Sequence, residues 1–140
     1  MKKNISKNIG FYIYSYYQAK EVIYFFKNRH ISPYIGFDYA LLNGIGINYI
    51  LEVSKLLIKD FSKKDFKIFL NCKNNPALVL ECIKLGFCYI KFDGNKVLKK
   101  KINYLSNSYN IVLNPKIQIF DLKKYDNLDE YLNKKIYYSK

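Results

Sequence analysis

The sequence has a single histidine, His30, a single arginine, Arg29, one methionine and no tryptophan. One histidine excludes a histidine cluster for a metal or a proton relay. The three cysteines, Cys72, Cys82 and Cys88, are odd in number and show no CxxC spacing. Neither a disulfide framework nor a structural zinc site is expected from them. No apolar run reaches the roughly 18 residues that span a bilayer, so no membrane partner is expected. Met1-Lys2-Lys3-Asn4 is basic, but Ser6, Lys7 and Asn8 break the segment after it, and the next stretch is tyrosine-rich. With no small-residue cleavage site it does not read as a signal peptide, and the expected location is cytoplasmic. Glycines are few, and Gly44-Ile45-Gly46 is the single GxG. It lacks the third glycine of a dinucleotide fingerprint, Tyr49 holding that place, and no Walker lysine motif exists.

Half of the 140 residues are apolar, enough for one domain with a real core. The formal net charge is +13. Such a balance draws nucleic acid, at least weakly and without sequence preference, through lysines acting as point charges on phosphates. Lysine, asparagine, isoleucine, tyrosine and phenylalanine run high together, the pattern that AT-rich codon usage leaves. The basic surface therefore does not by itself name a partner.

Short apolar runs alternate with longer amphipathic ones. The pattern predicts strands over 9–14, 31–35, 67–71, 87–92 and 109–113. Ser15 and Gln18 form a capping-box pattern ahead of a helix that carries Ala19, Val22, Ile23 and Phe26 on one face. Residues 36–46 read as a loop or broken turn, and a second helix is expected over 47–59. Asn75 and Pro76 open a third helix, which Gly86 closes. Asp93-Gly94-Asn95 turns into a fourth. A short extended piece comes next over 117–120. The domain is expected to span 1–122, and 123–140 to be a helical or frayed tail. Strands linked by crossover helices at this spacing predict an α/β fold, a five-stranded parallel sheet with helices on both faces. The flavodoxin-like order 2-1-3-4-5 is the first expectation and a partial β/α barrel the alternative.

Open parallel sheets bind ligands beyond the carboxyl ends of their strands. The candidate ligand-binding residues there are Ser15, Asp38, Asn71, Cys72, Asn74, Asp93 and Asn95, on an asparagine-rich rim suited to hydrogen bonding more than to acid–base chemistry. Cys72, just before a helix start, has the place of an activated thiol but no base within reach, and reads as a packing residue. Asp38 and Asp93 read as a loop cap and a turn residue ahead of a metal-binding pair. No catalytic residue, metal site or cofactor is assigned. A response-regulator receiver needs acids where Ser15 and Asn71 stand, and a flavodoxin needs a Ser/Thr/Gly-rich loop where Tyr16-Tyr17-Gln18 stands.

The segment Phe69-Leu70-Asn71-Cys72-Lys73-Asn74-Asn75-Pro76-Ala77, followed by a helix ending at Gly86, resembles a motif of a family of short alphaproteobacterial α/β proteins. In that family a strand ends in Asp-Cys-Gly-Asp ahead of a proline-started helix. Gly44-Ile45-Gly46 and the stretch from Pro115 to Leu122 also resemble its pattern. This chain departs from it with Asn71 and Asn74 in place of aspartates and Lys73 in place of glycine. The resemblance implies an α/β fold and no particular activity. On the residues alone the leading reading is a non-catalytic α/β module that binds a small ligand or a protein partner. An enzyme with its site at the carboxyl-end rim, and a basic nucleic-acid or ribosome-associated protein, are the alternatives.

Overall fold

Ile9, Phe11 and Ile13 alternate with Gly10, Tyr12 and Tyr14, so the first strand has one wholly apolar face. In the computed structural model, which describes residues 7–123 and 128–132, this strand is β1 (Ile9–Tyr12). Ser15 caps α1 (Tyr16–Lys27), its Oγ accepting from the Gln18 backbone N–H at 3.2 Å. The Gln18 side chain reaches back to accept from the Tyr14 N–H at 2.8 Å. β2 (Tyr34–Phe37) begins one residue after Pro33 and so lies later than its expected position over 31–35. Proline has no N–H to give the ladder, and the strand starts beyond it.

Residues 36–46 do not form a loop. Asp38 caps a short helix, α2 (Tyr39–Ile45), by accepting from the Leu41 N–H at 2.9 Å. Gly46, at φ +101°, then turns the chain by 107° into α3 (Ile47–Asp60). No single described helix is long and apolar enough to cross a membrane. β3 (Lys67–Asn71), α4 (Pro76–Lys84), β4 (Tyr89–Lys91), α5 (Lys96–Ser108) and β5 (Val112–Leu113) complete the repeating units. The extended piece near 117–120 is a full strand, β6 (Gln118–Asp121), and α6 (Leu128–Leu132) packs on α1, with Leu132 fully buried. Within the tail expected over 123–140, residues 124–127 and 133–140 lie outside the described residues.

All six strands are parallel, in the order β5-β4-β3-β2-β1-β6. This corrects the expected 2-1-3-4-5: β1 lies between β2 and β6, not beside β3. The first four crossovers all step in the same direction. Right-handed connections stepping one way place their helices on one face of the sheet. That face carries Phe11, Ile35, Leu70 and Ile90, each fully buried. Phe11 meets Phe26 of α1 with ring centroids 5.6 Å apart, and Cys72 meets Cys82 of α4. The expectation of helices on both faces is overturned for the same reason.

The other face carries Gly10, Tyr12, Tyr34, Gly36, Lys67, Phe69, Asn71, Tyr89 and Lys91. It is concave. Leu113 and Gln118 are five residues apart, a reach of about 18 Å at full extension. A flat sheet would place β5 and β6 five strand spacings, or about 24 Å, apart. The sheet therefore curls, bringing its two edges closer than a flat sheet would. The curl packs Tyr34 against Phe69 and Tyr89, with ring centroids 6.3 and 5.2 Å away, and leaves Phe69 only 2% exposed. Gly10 is required there: a Cβ would stand 2.8 Å from Ile117 Cγ2.

Candidate functional site

At the carboxyl end of the strands, the concave face ends in polar groups drawn from four strands. Period-two alternation sends Tyr12 and Tyr14 to this face while Phe11 and Ile13 enter the helix-facing core. Tyr14 donates its hydroxyl to Asp38 Oδ2 at 3.0 Å, and the Asp121 carboxylate at the end of β6 lies close enough to act on the same phenol. Asn71, at the end of β3, donates its amide to the Tyr12 hydroxyl at 3.0 Å, crossing over β2. Its own Oδ1 accepts from the Lys73 N–H at 3.0 Å, which helps hold Lys73 at φ +47°. Gln18 donates to the Leu122 carbonyl at 2.8 Å and so ties the start of α1 to the end of β6.

Burial raises the pKa of both phenols above the ordinary tyrosine value. For Tyr14 the neighbouring Asp121 and Asp38 carboxylates add to it. For Tyr12 the Asn71 amide works the other way, while the charges of Asp38, Asp121 and Asp93 push further upward. Both hydroxyls are thus neutral hydrogen-bonding groups rather than bases. Lys91 and Asp93 form an exposed pair at 4.0 Å, a geometry that contributes little in water. The three carboxylates are distributed around the mouth: among the described residues, no group of three or more histidine, cysteine or acidic side chains is placed to hold a metal ion.

The expected rim residues divide. Asp38 and Asn71 join the mouth, and Asp93 lies near enough to act on Tyr12. Ser15 and Asn95 are helix caps, Asn95 accepting from the Leu98 N–H at 2.9 Å. Asn74 is exposed in the turn before α4. Cys72 comes directly after β3 as expected, but its side chain points into the helix-facing core, fully buried and 3.7 Å from the Cys82 sulfur. Parity decides this: Leu70 and Cys72 share one face of the strand, Phe69 and Asn71 the other. Tyr12, Tyr14, Lys91 and Asp121 are the mouth residues that the rim rule misses. Tyr12, Tyr14 and Lys91 fall inside the strands expected over 9–14 and 87–92, and Asp121 follows a piece not expected to join the sheet. Alternation over residues 9–14 was the available signal for the two tyrosines.

The chain matches no protein-family model, no curated protein and no solved structure. What the fold and the mouth define is a class: a one-sided parallel α/β protein whose free face closes into an aromatic trough with a polar end.

Proposed function

We propose that the protein is a non-catalytic binding module that takes a small polar ligand at the carboxyl-end mouth of a partial β/α barrel, open between β5 and β6. The observation that carries this reading is the pair of cross-strand hydrogen bonds, Tyr14 to Asp38 and Asn71 to Tyr12. They hold four polar side chains at one end of an aromatic trough, the place where such sheets bind ligands. The mouth offers neutral phenols, one amide and an excess of carboxylate in a chain of net charge +13. That chemistry favours a ligand rich in donors, a polyol or an amine, over a phosphate. No described thiol stands at the mouth: Cys72 and Cys82 lie in the core and Cys88 is exposed at the amino end of β4. The test is calorimetric titration with a panel of polyols, primary amines and phosphate esters. Binding of a polyol or amine that is abolished in Asn71→Ala and in Tyr14→Phe supports the reading. Preference for the phosphate ester, or indifference to both substitutions, overturns it.

A second reading rests on α5. Lys96, Lys99, Lys100 and Lys101 are all exposed along it, and Tyr104 is 74% exposed among them. A lysine-rich helix with an exposed ring suits the phosphates and bases of a single-stranded nucleic acid. Affinity that falls steeply with salt and is lost on changing these four lysines to glutamine supports it. Affinity that those changes leave intact sets it aside.

A further inference from the structure

A second concavity lies at the opposite end of the sheet from the mouth. α1 packs on α3 and α4 packs on α5, but α3 and α4 make little contact with each other. The gap between them, at the amino ends of β3 and β4, is a cleft of about 670 Å³. Its floor is apolar, formed by Leu51, Ile58, Phe66, Ile68, Leu85 and Phe87. Two of these are left to solvent, Ile58 at 44% and Leu85 at 37% exposure. Four lysines stand around it, Lys55, Lys63, Lys64 and Lys67, and no carboxylate lines it.

The surrounding charges sharpen the contrast. Glu52 partly neutralises Lys55, at 3.4 Å, and Asp65 is directed away to Lys27, at 3.9 Å. Lys67 is half-sunk: its Nζ donates to the Ser32 carbonyl at 3.3 Å and lies 4.9 Å from the Tyr34 ring centre. Burial lowers its pKa from the usual lysine value, as it does for a cation short of anionic partners. An apolar floor left open to water and a cationic rim without a facing acid call for the same kind of occupant, a molecule with a hydrocarbon part and one negative head.

We propose that this cleft binds a free single-chain amphiphile with an anionic head, of the fatty-acid class, its chain between α3 and α4 and its head among Lys63, Lys64 and Lys67. The site is independent of the mouth and does not depend on what the mouth binds.

The probe is dodecanoate, kept below its micelle concentration and titrated into the whole protein by calorimetry and by methyl NMR. The expected result is one site per chain, with shifts centred on the methyls of Leu51, Ile58 and Leu85. Dodecanol should bind about tenfold more weakly than dodecanoate. The surface double variant Lys63→Gln/Lys64→Gln should weaken dodecanoate by about tenfold while leaving dodecanol unchanged. Ile58→Asp, at an exposed helix position, should weaken both ligands with the circular dichroism spectrum retained. Equal affinity for acid and alcohol overturns the role of the lysines. Shifts centred on any other part of the molecule overturn the site. Binding to anionic vesicles with none to the dissolved monomer overturns the occupant, making the surface a bilayer contact instead.

Discussion

Single side chains in this protein act according to the face they occupy. Tyr14 and Ile13 are neighbours in sequence, yet one hydrogen-bonds with the Asp38 carboxylate and the other is 1% exposed in the core. Replacing Tyr14 with phenylalanine keeps the ring and removes the donor to Asp38. The expected cost is about 1 kcal/mol in urea unfolding, the usual contribution of one such bond. No measurable loss would mean that water replaces the hydroxyl fully. The cysteines obey the same rule. Burial and the contact between the Cys72 and Cys82 sulfurs shield both from reagents, and the Cys82 thiol is pushed well above the ordinary value, chiefly by its hydrogen bond with Cys72. Cys88 is exposed. Alkylation of the native protein near neutral pH, followed by peptide mass spectrometry, should label Cys88 first and leave the other two until unfolding. Fast labelling of Cys72 would contradict its place in the core.

Strands and their connections hold the curl. Gly10 on β1 faces the trough, with Ile117 Cγ2, Ile119 Cδ1 and Tyr34 Cβ within 3.0 Å of where a Cβ would stand. Gly10→Ala therefore overpacks the closing edge, with an expected loss of about 1–3 kcal/mol although alanine is the better residue in a strand interior. A stabilised Gly10→Ala protein, measured by thermal melting, would show that the edge opens freely. On the other side, Asn114 braces β4 after β5 ends: its Oδ1 accepts from the Phe92 N–H at 2.7 Å and its Nδ2 donates to the Phe92 carbonyl at 3.0 Å. It does so at φ +52°, in the left-handed region that asparagine tolerates. Asn114→Ala loses both bonds and strains the backbone, and Asn114→Gly loses the bonds alone. The alanine variant should be the less stable by about 1 kcal/mol. Equal stabilities would place the whole effect in the side-chain bonds. The apolar periods of the helices and their caps at Ser15 and Asn75 were legible in the residue pattern alone, because a cap acts within four residues. The helix at Tyr39–Ile45 was not, since about two turns held by Asp38 resemble a loop in composition.

Across the whole molecule, the concave face stores several phenols in their neutral form. Tyr12, Tyr14 and Tyr34 all have pKa values raised above the ordinary tyrosine value near 10, burial being the largest cause for each. Below that value both folded and unfolded chains hold these protons, and the stabilisation is fully present. As pH rises past it, the unfolded chain ionises first, and stability falls until the folded phenols titrate as well. Lys67 works the other way, because its lowered pKa makes the folded state gain as pH rises. With three phenols against one amine, unfolding free energy should decline between pH 9 and pH 11 (~2 units around the ordinary tyrosine value). Tyr14→Phe should make that decline shallower. An unfolding free energy that holds or rises over this interval would show that the phenols are not shielded by the trough.

The sequence by itself determined the class of fold and most of its elements: the alternating α and β periods, the caps, the parallel pairing and a polar carboxyl end that includes Asp38, Asn71 and Asp93. Those features rest on contacts within a few residues or on the length of a crossover. The order of the strands was decided only in three dimensions, because a crossover to either neighbour has the same length and period. The remaining properties derive from that order. Crossovers stepping one way leave one face without helices. The short link from Leu113 to Gln118 bends that face into a trough, and β6 closes beside β1, bringing Asp121 to Tyr14 across more than a hundred residues of chain. The strand at Lys67–Asn71 reads as a run buried on both sides, and it is so at its centre: Leu70 is buried under the helices and Phe69, at 2% exposure, within the trough. Which face the helices cover depends on how distant strands are ordered, and no local pattern of residues contains that ordering.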